Sequence, residues 1–101
     1  MAHRIVFSPE AYEDLEQLYQ FVADQAGERV ALSYIERIET YCRGFADFPE
    51  RGLLRDDLFP GLRIVGFERR LSIAFRVEAD TVYFDRILYG GRDIDTLLTE
   101  D

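Results

Sequence analysis

The spacing of apolar residues changes along the chain, and the change divides it in two. From residue 9 to about residue 25, Ala11, Leu15, Leu18, Val22 and Ala26 recur at three- and four-residue intervals, with Tyr12, Tyr19 and Ala23 beside them. At about 100° per residue these positions form one broad helical stripe. Glu13, Glu16, Gln17, Gln20 and Asp24 fill the opposite face. Ser8 suits the N-cap and Pro9 the first helical position, while Glu10, Glu13 and Asp14 complement the positive end of the dipole. Gly27 is expected to stop the helix in a left-handed turn. A second helix is expected over residues 28–48. Its central stripe is Ala31, Ile35, Ile38, Cys42 and Phe45, with Leu32 and Ala46 on one flank and Val30, Tyr34, Tyr41 and Phe48 on the other. So short a link makes the pair an antiparallel αα-hairpin, and Pro49 closes the second helix.

Beyond residue 61 the period becomes two. Strands are expected over residues 62–67, 69–78 and 81–89, with Ala79-Asp80 as a tight turn. In the second of these, Leu71, Ile73, Phe75 and Val77 alternate with Arg70, Ser72, Ala74 and Arg76. The third places Val82, Phe84 and Leu88 on one face and Tyr83 and Ile87 on the other, which marks a central or doubly covered strand. A short strand over residues 3–7 precedes the first helix, and residues 49–61 read as a loop. Gly90-Gly91 ends the last strand ahead of a tail over residues 92–98 with room for one helical turn. The order is β-α-α-β-β-β: an N-terminal strand, a helical hairpin and a three-stranded antiparallel meander. Grouped helices and grouped strands make this an α+β fold, and 101 residues suit a single domain over residues 1–101.

The charge narrows the function. The net charge is -8 and the chain has no Lys. That disfavours direct DNA binding, which relies on neutralising phosphates. The distribution is uneven: residues 1–50 hold four Arg against ten acids, residues 51–92 eight Arg against six. The second half therefore carries guanidinium groups suited to carboxylate or phosphate contacts. No apolar run is long enough to span a bilayer and no signal-peptide pattern opens the chain, so a cytoplasmic protein without a membrane partner is expected.

Conventional catalytic sets are missing. His3 is the only His and lies at the terminus. Cys42 sits on the apolar stripe of the second helix, where a buried thiol is inert. Zinc would need clustered Cys and His, and Gly90-Gly91-Arg92 lacks the lysine of a phosphate loop. No metal and no cofactor is expected. One chemistry remains open: attack of an RNA 2′-OH on its own phosphate, with Arg stabilising the phosphorane and Tyr carrying a proton. Arg70, Arg76 and Arg86 could share a sheet surface for it, with Tyr83, Tyr89 and Arg92 at the edge. The same Arg also suit acidic side chains of a partner, and the wide apolar flanks suit an amphipathic partner helix.

The chain resembles the ParE branch of the RelE/ParE toxins of bacterial toxin–antitoxin modules. The resemblance rests on Phe7-Ser8-Pro9-Glu10-Ala11, Phe48-Pro49-Glu50-Arg51-Gly52, Arg55-Asp56-Asp57-Leu58, Pro60-Gly61-Leu62-Arg63, Phe67-Glu68-Arg69-Arg70 and Arg86-Ile87-Leu88-Tyr89-Gly90-Gly91-Arg92-Asp93, in order. It implies a toxin paired with a ParD-like ribbon-helix-helix antitoxin, hence a hetero-oligomer, whose target is DNA gyrase inhibited by protein binding. It also implies the alternative of the RelE relatives, ribosome-dependent mRNA cleavage; the missing Lys departs from that pattern. On this basis Tyr19, Tyr34, Tyr41, Phe48, Arg70 and Arg76 are expected to bind antitoxin. Arg86, Tyr89 and Arg92 are expected to meet the target or, in the alternative, to serve an RNase role.

Overall fold

The computed structural model describes residues 2–90, and in it the chain forms a five-stranded sheet covered on one face by a helical hairpin. The elements are β1 (Arg4–Phe7), α1 (Pro9–Ala26), α2 (Glu28–Arg43), a 3₁₀ turn (Gly44–Ala46), β2 (Leu53–Leu54), β3 (Leu62–Phe67), β4 (Leu71–Glu78) and β5 (Thr81–Tyr89). The strand order is β1-β5-β4-β3-β2. The antiparallel meander is present as expected, and β1 adds parallel to β5 from Arg4↔Thr81 to Phe7↔Phe84.

Three expectations about the helices and the loop after them are corrected. The second helix ends at Arg43 rather than near residue 48, because Gly44, a poor helix former, tightens the chain into the 3₁₀ turn. The loop at residues 49–61 contains strand β2, pairing Leu53 with Ile64 and Leu54 with Arg63. Two residues are too few to show alternation. Gly52 makes that pairing possible: its φ is 76°, and a Cβ there would lie 2.4 Å from the Ile64 carbonyl oxygen. Finally, Gly27 does not adopt the left-handed helical conformation. Its φ of 98° with ψ of 161° is glycine-only backbone, and this single residue both ends α1 and starts α2. Its N–H donates to the Ala23 carbonyl and its own carbonyl accepts from Ala31 N–H.

The core forms where the hairpin meets the sheet. Leu15 and Leu18 of α1, with Ala11, and Tyr34, Ile38 and Cys42 of α2 pack on Ile73, Phe75, Val82, Phe84 and Ile87. Phe45, carried by the 3₁₀ turn, is fully buried with its ring 4.9 Å from Phe75 and 5.4 Å from Phe84, both edge-on. A bulge adjusts β5. Phe75 faces Phe84 while Ala74 faces Arg86, so Asp85 is an extra residue in the ladder. The expected parity is thereby overturned beyond Phe84: Ile87 joins Val82 and Phe84 in the core, and Leu88 turns to the other face.

The contrast between two nearby Phe residues tests this packing. Phe45→Ala should lower unfolding free energy by about 3–5 kcal/mol. Phe48→Ala, at a position 70% exposed, should change it by no more than about 0.5 kcal/mol. Urea unfolding at constant m-value measures both.

Candidate functional site

The residues with chemical potential fall at three places. The first is the seam between α1 and β5. Strand β1 covers β5 only as far as Phe84, and from there α1 takes over. Ser8 caps the helix by accepting from Ala11 N–H at 2.9 Å, donates its hydroxyl to the Asp85 carbonyl at 2.9 Å, and donates its own N–H to the Phe84 carbonyl. Six residues on, the Asp14 carboxylate accepts from Ile87 N–H at 2.8 Å and from the Arg86 guanidinium at 2.8 and 3.0 Å. The Asp14 side chain is only 10% exposed. A carboxylate so removed from water needs each of those donors, and the fork of Arg86 holds its proton more tightly in return. Next to the seam lies a groove of about 270 Å³, lined by Asp14, Gln17, Leu18, Phe21, Ile87, Leu88 and Tyr89. The half-exposed Phe21 lies 5.3 Å from the Tyr89 ring.

The second place is the sheet face turned away from the helices. Arg76 donates to both oxygens of Asp85, at 2.8 and 3.2 Å, and also pairs with Glu78. Its guanidinium lies 5.8 Å from the Phe59 ring and 5.4 Å from the Tyr83 ring, a placement that adds cation–π attraction. Its pKa is raised, foremost by the hydrogen bond to Asp85. A shallow pocket of about 300 Å³ beside it is lined by Phe59, Leu62, Arg76 and Asp85.

The third place joins α2 to the β3–β4 turn. Arg37 pairs with both oxygens of Glu68, at 2.9 and 3.0 Å, and its guanidinium also reaches Ser33 Oγ. The Tyr41 ring lies 4.8 Å from that of Phe67. The open groove between them is lined by Ser33, Glu36, Arg37, Thr40, Tyr41, Phe67 and Glu68.

The residues singled out from the sequence divide accordingly. Phe48 and Arg70 are exposed, and Tyr19 and Tyr41 half-buried. Tyr34 is 8% exposed, hardly more than Leu15 at 6%, because the buried stripe of α2 runs Ala31, Tyr34, Ile38, Cys42 and leaves Ile35 at its border. It offers no docking surface, and burial foremost raises the pKa of its hydroxyl. Arg70, Arg76 and Arg86 do not form one cationic surface. Arg76 and Arg86 each hold a carboxylate, and Arg70 stands in the β3–β4 turn. Tyr89 faces the helices, against Phe21, rather than Tyr83. Arg92 lies outside the described residues, as does the expected helical turn at the C-terminus.

Asp14, Asp85, Phe21 and Phe59 were not singled out as site residues. For Asp14 a signal existed: it stands three residues after Ala11 and four before Leu18, an acid on the apolar stripe. Among the described residues no group of three or more His, Cys, Asp or Glu could hold a metal ion, and no helix is long and apolar enough to cross a membrane. Burial pushes the Cys42 thiol up to about 12, with Glu39 adding to the effect.

Comparison with known proteins gives a consistent result. A family model described as "ParE toxin of type II toxin-antitoxin system, parDE" matches residues 5–94. A curated protein of Caulobacter vibrioides named Toxin ParE3 is 30% identical over 87 residues, 86% of each chain. A solved structure titled "Chromosomal ParDE TA system from P. aeruginosa" superposes with a TM-score of 0.77 at 23% identity, covering 88% of this chain and 97% of that one, a likeness of fold.

Two measurements check the site. Asp14→Ala should lower unfolding free energy by about 2–4 kcal/mol, since it strands Arg86 and the Ile87 N–H together. At pH 8 the native Cys42 should react with a thiol reagent orders of magnitude more slowly than the urea-unfolded chain, whose thiol ionises near pH ~8.5.

Proposed function

The chain belongs to the ParE toxin family of type II toxin–antitoxin systems, and from that premise we propose that it acts in the cytoplasm as an inhibitor of DNA gyrase, through protein contact, and is neutralised by a cognate ParD-like antitoxin. The observation that carries the first half is the state of the arginines. Arg76 and Arg86 are the guanidiniums best placed on β4 and β5 for phosphate chemistry, and each already holds a carboxylate in two-pronged geometry. A guanidinium neutralised in this way adds little to the stabilisation of a phosphorane. Tyr89, the candidate proton carrier, is engaged through its ring with Phe21. Two of the groups expected for mRNA cleavage, Arg76 and Arg86, are thus committed to holding the fold together.

For the antitoxin, the supporting surfaces are the open groove beside Tyr41 and Phe67 and the half-exposed flank of α1 at Tyr19. An amphipathic segment laid there would cover apolar area without disturbing the core. Phe48 and Arg70, both exposed, extend the candidate contact, and the buried Tyr34 supports it from within; Arg76, paired with Asp85 on the opposite sheet face, stands apart from it.

Purified, antitoxin-free toxin is tested in gyrase supercoiling and cleavage-complex assays. Inhibition with accumulation of cleaved DNA, reversed by stoichiometric antitoxin, is expected. No effect at stoichiometric excess would overturn the gyrase target. Tyr89→Phe separates contact from chemistry: it keeps the ring contact and should retain full growth arrest on induction. Loss of arrest in this variant would point to a phenol used in RNA cleavage.

A further inference from the structure

The sheet face turned away from the helices carries a line of apolar side chains. Leu62 and Ile64 of β3, Ala74 of β4 and Leu88 of β5 share it, and Leu62, Ala74 and Leu88 are buried. Leu62 is accounted for: the loop before β3 brings Phe59 there, and the two line one pocket. Ala74 is small and sits between Ile64 and Arg86 in the ladder. Leu88 has no such account. It is only 3% exposed. The residue opposite it is Ser72, and beyond Ser72 comes Gly66, which has no side chain. β1 stops at Phe84, and the Phe59 ring lies against Arg76. From Ser72 to Arg76 is about 13 Å along β4 at the rise of a strand. A leucine on the open part of an edge strand stays that dry only under a covering segment.

We propose that residues 91–101 fold back over this face within the same chain, as a strap whose Ile94, Leu97 and Leu98 bury Leu88. Three observations select this occupant. Gly90 stands two residues after Leu88, so the chain leaves the sheet beside the covered side chain. The φ of Gly90 is 85°, left-handed backbone that turns the chain out of the strand direction, while its N–H is held by the Arg70 carbonyl at 2.8 Å. The segment also has the pattern for the task. Ile94, Leu97 and Leu98 share one helical stripe, and Asp93, Asp95, Thr96, Thr99 and Glu100 fall elsewhere. The inference goes beyond the toxin reading and does not depend on it. A face closed by its own chain leaves the groove beside Tyr41 and the flank of α1 as the surfaces open to a partner.

Disulfide trapping in the full chain tests the strap. Ser72→Cys/Leu97→Cys places one thiol on the covered face and one on the segment. Ser33→Cys/Leu97→Cys places the first thiol on exposed α2 surface instead. Cys42 stays out of the reaction, because it is buried and its thiol pKa is pushed up to about 12. The chain is oxidised mildly at about 1 μM, where tethered thiols meet at an effective concentration of about 1 mM, so closure within one chain is favoured. The Ser72 pair should close roughly tenfold faster than the Ser33 pair, since a disulfide needs its Cα atoms within about 7 Å. Adding Ile94→Ser and Leu98→Ser should slow closure of the Ser72 pair roughly tenfold, because the apolar anchors are gone. Equal rates for the two pairs overturn the proposal, and so does a Ser72 pair indifferent to the serine substitutions. Disulfides formed only between chains overturn it by giving the face to a second copy. A Ser72→Cys thiol that reacts freely in the isolated chain and is shielded only by added antitoxin overturns it in favour of the antitoxin.

Discussion

Strand β5 has a strand on both sides only as far as Phe84, and the way its remaining edge is closed governs the rest of the molecule. A bare edge would leave backbone donors and acceptors without partners. Here the N-cap and first turns of α1 replace the missing strand: Ser8 donates its backbone N–H to the Phe84 carbonyl and its hydroxyl to the Asp85 carbonyl, and the Asp14 carboxylate takes the Ile87 N–H. Arg86 then completes the Asp14 carboxylate. This fixes α1 along β5, and α2, linked through Gly27 alone, follows it onto the sheet. The bulge at Asp85 belongs to the same device. It turns Ile87 into the core beyond Phe84 and frees Asp85 to hold Arg76.

A chain without lysine uses arginine in two ways. Arg37, Arg55, Arg76 and Arg86 act as two-pronged clamps on carboxylates. Two of those clamps, at Arg76 and Arg86, are shielded enough from water for the pairing to matter to the fold. The exposed Arg37–Glu68 pair, screened by solvent, contributes less. Arg69 and Arg70 stay outward. The division separates arginines that build the scaffold from arginines left in solvent.

Much of this was legible in the residues. The switch of apolar period at residue 61 announced grouped helices followed by a meander, and Ser8-Pro9 fixed the start of α1 to the residue. The family likeness followed from short motifs in order. What stayed hidden depended on long-range geometry. β2 is two residues long, and its partners Ile64 and Arg63 belong to a separate strand beyond a turn. The parity of β5 failed at Asp85 because a bulge inserts one residue without any mark in the local pattern. Tyr34 looked like a flank residue, and a modest rotation of α2 on the sheet put it in the core instead of Ile35. For the arginines, composition revealed the number and the half of the chain, but not which were already paired.

The most direct test of action by contact on gyrase is the order in which macromolecular synthesis stops after induction in cells lacking the antitoxin. Labelled thymidine and labelled methionine incorporation are followed together from the first minutes. DNA synthesis should fall first, with a DNA-damage response, while protein synthesis continues. Immediate arrest of protein synthesis with DNA synthesis still running would contradict the account.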